Sequence, residues 1–115
     1  MKDFMLIFIG KPYSDMDLSP EQMQQQMGRW WEWQTKMEEK GILKGGHALR
    51  GEVRTISGAE RTTTDRTSAE LKELVGGYYI VSAANVEEAS QIAEGYPDYD
   101  LGGTVEVREV MVYDK

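Results

Sequence analysis

Two short segments, residues 4–9 and 78–83, carry apolar side chains at most of their consecutive positions. Because successive side chains of a strand point to opposite faces, each segment predicts a strand that is apolar on both faces. Strands of this kind lie inside a sheet, with a cover above and below. Gly76 and Gly77 precede the second segment, where they allow the backbone to bend or to approach another chain closely.

Two other segments have helical spacing. Ser19-Pro20-Glu21-Gln22 has the pattern of a capping box with proline at the first helical position, and Gly41 is suited to end that helix. Its predicted core stripe consists of Met23, Met27, Trp30, Gln34 and Met37. Gln34 is the polar member of that stripe, and it either hydrogen-bonds locally or faces a cavity. Asn85 is suited to cap a second helix that ends near Gly95.

The remaining segments predict weaker strands and turns. Residues 42–50 contain Gly45-Gly46 and predict a strand at a sheet edge, and residues 52–56 and 60–64 predict a hairpin around a glycine turn. A helical turn is expected over residues 68–74 and an exposed turn over residues 96–100. Residues 104–107 alternate between polar and apolar, as an edge strand does. Val110 and Val112 are out of phase with Val105 and Val107, which predicts a bulge near Arg108 and Glu109.

This order of elements predicts one α+β domain over residues 1–115. It is the ferredoxin-like split βαβ unit with an inserted β-hairpin, an antiparallel sheet and two helices on one face. In that topology the two strands that are apolar on both faces are central, in agreement with their composition. The helices cover one face only, so we expect a second copy to pack on the other face and form a homodimer.

Composition excludes several classes of function. The chain has a net charge of −7, which disfavours nucleic-acid binding. It contains no cysteine and one histidine, so we expect no metal site, and it contains no phosphate-binding or dinucleotide motif, so we expect no cofactor. The first apolar run is too short for a membrane helix and lacks the flanks of a signal peptide. We therefore expect no membrane association and a cytoplasmic location.

The candidate chemistry rests on a few side chains. Asp65 follows the hairpin and is either a turn acid or a site acid. The one histidine, His47, is either structural or the acid–base partner of Asp65. Arg50 and Arg66 would hold a substrate carboxylate unless each pairs with a nearby acid. Three tyrosines, Tyr13, Tyr78 and Tyr79, either line a pocket or pack as strand tyrosines usually do, and Tyr13 and Tyr79 are the candidates for substrate binding.

The central stretch of the chain resembles the DGPF-type branch of the YCII-related family. That branch carries D-G-P-F-A-E-T-K-E-x-L-G-G-Y-Y, and this chain matches it in register without a gap. The matching residues are Asp65, Ala69, Glu70, Lys72, Glu73, Gly76, Gly77, Tyr78 and Tyr79. The resemblance implies a dimeric α/β barrel of ferredoxin-like protomers, with an acid, here Asp65, in a cleft near the dimer interface.

The chain departs from that pattern directly after the acid, where Arg66-Thr67-Ser68 replaces Gly-Pro-Phe. The turn therefore lacks its glycine and the fixed φ of proline. Two hypotheses follow. The first is a cofactor-free acid–base enzyme, of lyase or isomerase type, that acts on a small polar or carboxylated molecule. The second is a module that binds a small molecule or a protein partner without catalysis.

Overall fold

The computed structural model describes residues 1–66 and 74–113. Most of the helical turn predicted over residues 68–74 therefore lies outside the described residues. Within the described ranges the elements follow the predicted order, and their bounds are β1 Lys2–Ile9, α1 Pro20–Glu39, β2 Leu43–Ala48, β3 Val53–Ser57, β4 Thr62–Arg66, β5 Val75–Ala83, α2 Val86–Ala93 and β6 Thr104–Glu109. Short 3₁₀ turns span Tyr13–Asp15 and Pro97–Leu101. No helix in this part of the chain is long and apolar enough to cross a membrane.

The main sheet has four strands in the order β2-β5-β1-β6, and every neighbouring pair is antiparallel. The two strands that are apolar on both faces, β1 and β5, are central, and β2 and β6 form the edges. The sequence prediction of these positions is confirmed. The architecture is α+β with antiparallel sheets and two helices, which is compatible with the ferredoxin-like unit.

Both helices pack against the same face of the sheet. Phe4, Leu6 and Phe8 of β1 point to that face and are buried in one core cluster with residues of α1 and α2. The alternate residues of β1 point to the opposite face and are partly exposed; they are Met5, Ile7 and Ile9. Within the described residues, the strand is thus covered on one side.

The predicted helix boundaries are confirmed by their hydrogen bonds. The Ser19 hydroxyl accepts from the Gln22 amide at 3.1 Å, and the Gln22 side chain accepts from the Ser19 amide at 2.8 Å, which completes the capping box. After α1, Gly41 has φ +69°, a conformation that glycine adopts without the steric cost of a Cβ atom. The Asn85 side chain accepts from the Glu88 amide at 2.9 Å and caps α2.

The predicted core stripe of α1 is confirmed at Met37 and wrong at Met23 and Met27. The buried residues of α1 are Gln26, Trp33 and Met37, whereas Met23 and Met27 are exposed. Trp30 is half-buried and packs against the core cluster. The true core face therefore includes a polar residue that hydrophobic periodicity does not select.

Two further expectations are wrong. The β1–β6 pairing is regular from Thr104 to Glu109, without the expected bulge; the strand ends there, which explains the change of phase. The turn after α2 was expected to be exposed, yet Tyr96, Pro97 and Asp98 are buried. They are buried because this turn packs back against α1 and the aromatic core.

The predicted hairpin is confirmed and forms a separate two-stranded sheet from β3 and β4. All five residues of β4 are exposed, and Ile56 of β3 is 66% exposed. An isolated two-stranded hairpin is marginally stable in water. The hairpin is therefore the least buried of the strand pairs in the described residues.

Candidate functional site

A cavity of about 480 Å³ opens between α1, β2, β5 and the loop that follows β1. Its volume lies within the range of about 300–1,000 Å³ that is typical of small-molecule sites. Glycines contribute part of its wall, on β2 through Gly46 and on β5 through Gly76 and Gly77. A side chain at Gly46 would overlap the Tyr79 ring and the Tyr78 carbonyl, so only glycine fits there.

Aromatic side chains form the wall next to the core. The Phe8 ring lies at their centre, with centroid distances of 5.1 Å to Trp30, 5.2 Å to Tyr79 and 5.2 Å to Tyr96. Trp33 packs behind them, 5.4 Å from Tyr79. Edge-to-face and stacked pairs of this kind fix the positions of the rings. This wall is therefore rigid and apolar.

The polar part of the cavity is organised by the buried carboxylate of Asp98. The Tyr13 hydroxyl donates to Asp98 Oδ1 at 2.6 Å, and Gln26 Nε2 donates to the same oxygen at 2.7 Å. Trp30 Nε1 donates to Asp98 Oδ2 at 3.2 Å and to the Tyr13 hydroxyl oxygen at 2.9 Å. Three donors from two distant segments thus converge on one carboxylate.

Local sequence explains how Asp98 is held in place. Pro97 is in the first turn of the 3₁₀ segment, and Gly102, with φ +85°, ends it. The Gly103 amide donates to the Asp98 carbonyl at 3.0 Å. Tyr96, which precedes the segment, stacks on Phe8 with an interplanar angle of 17°. The aromatic stack and the tight turn together direct the carboxylate toward α1.

The network extends to the surface through α1. Gln26 Oε1 accepts from Arg29 Nη1 at 2.8 Å, and the same nitrogen donates to Asp100 at 3.1 Å. The amide of Gln26 is therefore oriented, with its nitrogen toward Asp98. Because each of its two ends has a defined partner, Gln26 is satisfied although it is buried.

Burial raises the pKa of three tyrosines around the cavity. Burial is the largest cause that raises the pKa of Tyr13, and its hydrogen bond to Asp98 and the negative charge of Asp98 raise it further. Burial likewise raises the pKa of Tyr96, followed by the charges of Asp98 and Tyr99. Burial also raises the pKa of Tyr79, with a smaller contribution from Glu38. The tyrosines around the cavity are thus hydrogen-bonding groups without charge at neutral pH.

The sequence model of the YCII-related domain matches residues 3–114. The chain belongs to the YCII-related family. A search of curated proteins found no match. The resemblance to the YCII-related family is thereby confirmed, and the match covers nearly the whole chain.

The structure of this YCII-related chain brings together half of the six predicted site residues. Tyr13, Tyr79 and His47 line the cavity. His47 is exposed, and its Nδ1 lies 2.8 Å from the hydroxyl oxygen of Tyr78. Tyr78 and Tyr79 point to opposite faces of the sheet, so the His47 ring is directed away from the aromatic wall.

The other three predicted residues are not among the described residues that line the cavity. Asp65 lies on the exposed strand β4, and its carboxylate is 3.0 Å from Arg54 Nε across the hairpin. Arg66 ends the same strand and is exposed, and Arg50 is exposed in the loop between β2 and β3. Asp65 and His47 therefore have different hydrogen-bonding partners in this chain, Arg54 for the first and Tyr78 for the second.

Sequence reasoning missed Asp98, Gln26 and Trp30 as members of a polar site. It did select Gln34, whose two alternatives are both realised. Gln34 donates to Glu38 at 2.9 Å within the helix, and it also lines the cavity and accepts from the Tyr79 hydroxyl at 3.1 Å.

No group of three or more histidine, cysteine, aspartate or glutamate side chains in residues 1–66 and 74–113 is arranged to hold a metal ion. The polar side chains among the described residues that line the cavity comprise one carboxylate, one amide, three tyrosine hydroxyls, two tryptophan indoles, one lysine and one histidine. Such an arrangement is suited to hydrogen-bonding and stacking with an organic molecule.

Proposed function

We propose that this YCII-related protein binds a small organic molecule in the cavity between α1 and the sheet. The observation that carries the proposal is the buried Asp98 carboxylate, held by Tyr13, Gln26 and Trp30 at the wall of a cavity of about 480 Å³. A concave apolar site with a few fixed polar groups is the usual form of a ligand site. We also propose that the chain is of the DGPF-type branch, which its nine matching central residues support.

A thermal-shift screen of small organic compounds tests the proposal, because a ligand that binds the folded state raises the melting temperature. Met27→Trp is designed to fill the cavity, whose wall includes Met27. Met23→Trp is the matched control, since Met23 is also an exposed methionine of α1 and lies one turn away. We expect compounds that stabilise the wild type and Met23→Trp but not Met27→Trp. If no compound stabilises the wild type, or Met27→Trp responds like the wild type, the proposal is wrong.

The second candidate function is acid–base catalysis on the bound molecule without a cofactor, of lyase or isomerase type. His47 is among the residues that border the cavity, although its ring pairs with Tyr78 and is directed away from the aromatic wall. The role of Asp65 in such a reaction stays a prediction. Because Asp65 is exposed on the hairpin and paired with Arg54, binding without catalysis is the better supported of the two.

We further propose that the functional unit is a homodimer, packed through the uncovered face of the sheet. The strand register supports this interface. Tyr78 lies beside both Ile7 and His47, and Met5 lies beside Ile80, so these residues form two adjacent rows on one face. A contiguous apolar patch on a sheet face is typical of a protein interface. A cytoplasmic location stays a prediction.

Size exclusion with light scattering tests the dimer. We expect twice the protomer mass of 13.1 kDa at micromolar concentration. Ile7→Lys places a charge on the proposed interface and is expected to give the protomer mass. Val86→Lys is the control, because Val86 is an exposed residue of α2 and the helices pack on the other face. A wild-type protomer mass that does not rise on concentration would rule the dimer out.

A further inference from the structure

We propose that the ligand of this cavity carries a protonated amine, or an equivalent N–H-bearing cation, on a flat apolar body. The inference rests on the proposed binding function and adds the chemical class of the ligand. It differs from the sequence-based expectation of a carboxylated ligand held by Arg50 and Arg66. Those two arginines are not among the described residues around the cavity, whereas Asp98 is.

The first argument is the unfilled capacity of the Asp98 carboxylate. A carboxylate accepts about four hydrogen bonds through its two oxygens. Within the described residues three donors contact it: Tyr13 and Gln26 at Oδ1, and Trp30 at Oδ2. Oδ2 thus retains an acceptor position on a residue that lines the cavity. An ammonium group fits such a position, because a charge-assisted hydrogen bond is stronger than a neutral one.

The second argument is the direction of the neighbouring hydrogen bonds. The Tyr13 hydroxyl gives its hydrogen to Asp98, and the Tyr79 hydroxyl gives its hydrogen to Gln34. The raised pKa of each tyrosine keeps that hydrogen in place. The Tyr79 oxygen consequently presents its lone pairs to a ligand, and the Tyr13 oxygen, which already accepts from Trp30 Nε1, retains one. A ligand that donates hydrogen bonds matches these acceptors, whereas a carboxylate would face lone pairs and a buried negative charge.

The third argument is the aromatic wall. The rings of Trp30 and Tyr79 are half-buried, line the cavity and stand nearly perpendicular, with centroids 6.0 Å apart. A cation within about 6 Å of a tryptophan or tyrosine ring is attracted to its face. The same rings stack with a flat apolar body. A cationic head beside Asp98 and a flat body against Trp30 therefore use both parts of the wall.

One cationic side chain at the cavity, Lys11, favours an anionic ligand instead. It is exposed, so water and salt screen its field. The Asp98 carboxylate is buried, and a buried charge is screened much less. The balance inside the cavity therefore favours a cation, and the overall charge of −7 favours the approach of a cation as well.

The experiment compares three probes of similar size, 2-phenylethylamine, 2-phenylethanol and 3-phenylpropanoate, at neutral pH and fixed ionic strength. Affinities come from calorimetry, and the ¹H–¹⁵N signal of the Trp30 indole reports binding next to Asp98. We expect the amine to bind at least about tenfold more tightly than the carboxylate, which corresponds to about 1.4 kcal/mol. We also expect the Trp30 indole signal to move most with the amine.

Asp98→Asn keeps the shape of the side chain and removes its charge. We expect it to weaken amine binding by about tenfold and to change the affinity for the alcohol by less than about threefold. Asp100→Asn is the matched control, since Asp100 is an exposed acid two residues away that pairs with Arg29. It should leave the probe ranking unchanged. Circular dichroism checks that each variant is folded, and the wild-type ranking decides the proposal even where Asp98→Asn does not fold.

The outcomes separate the ligand class from the binding function. If the carboxylate binds as tightly as the amine, the ligand class is wrong. If Asp98→Asn retains the preference for the amine, the assignment of that preference to Asp98 is wrong. If the alcohol binds as well as the amine, and Met27→Trp abolishes both, the ligand class is wrong while the cavity remains the binding site. If no probe binds, the ligand class fails, and the compound screen of wild type against Met27→Trp separately decides the binding function.

Discussion

Replacing Trp33 with alanine tests whether the core lies where the structure has it. Trp33 is 8% exposed, and its ring packs against Phe8 at 5.9 Å, Trp30 at 5.6 Å and Tyr79 at 5.4 Å. Truncation of a buried tryptophan typically costs about 3–5 kcal/mol, through lost burial and the cavity left behind. We expect Trp33→Ala to lie in that range, because the rigid aromatic neighbours cannot collapse into the space.

Trp31→Ala is the matched control, since Trp31 is on the same helix, two residues away, and is 61% exposed. We expect its loss to stay below about 1 kcal/mol, as is usual at exposed sites. Urea unfolding followed by far-UV circular dichroism measures both variants, at several protein concentrations in case a dimer contributes to stability. For Trp33→Ala the melting temperature should fall by about 10–20 °C. Equal losses for the two variants would refute the assigned phase of α1.

Three further predictions concern other parts of the molecule. Gly95→Ala should destabilise the fold by about 1–3 kcal/mol in urea unfolding, because the added methyl group would overlap the Trp33 indole. Gly28→Ala, where the space around the glycine is open, should instead stabilise the fold by about 0.5–1 kcal/mol. Stability should fall as pH rises above about 10, because burial and Asp98 raise the pKa of Tyr13 and Tyr96 in the folded state relative to the unfolded state. Urea midpoints measured against pH test this, and Tyr13→Phe should reduce the fall. Asp65→Asn should change stability by less than about 1 kcal/mol, because the ion pair of Asp65 with Arg54 is exposed. If Asp65 is a site acid, the variant should weaken ligand binding or turnover. Unchanged binding and turnover would show that Asp65 has no such role.

Much of the fold could be predicted because its signals are local. Ser19 and Gly41 mark the ends of α1 through hydrogen bonds and a backbone conformation that involve only neighbouring residues. The order of the strands could also be predicted, because a strand that is apolar on both faces must be central. These features depend on a few adjacent side chains and on the period of two along a strand.

The phase of α1 could not be predicted, because a polar residue occupies its buried face. Gln26 is buried since its amide nitrogen donates to Asp98, which is 72 residues away in the chain. Met27, which the pattern assigned to the core, instead lines the cavity and is 46% exposed. Hydrophobic periodicity cannot distinguish a satisfied buried amide from a solvent-exposed one. For the same reason the pattern predicts an exposed Asp98 in the turn at residues 96–100, although Asp98 is buried.

The position of the cavity nevertheless has a local signal in the two glycine pairs. Gly46 lies beside Tyr79, and a Cβ atom at Gly77 would lie 2.7 Å from the His47 carbonyl oxygen, too close to be tolerated. The close backbone approach that Gly77 allows is thus between β5 and β2 of the same chain, and approach of another chain stays a prediction. Gly46, Gly76 and Gly77 line the cavity on its sheet side, and the missing Cβ atoms of Gly46 and Gly77 allow Tyr79 and the neighbouring backbone to pack closely there. A pair of glycines on each of two neighbouring strands, opposite a tryptophan-rich helix, therefore indicates a cavity at this point, although its polar partners become evident only in three dimensions.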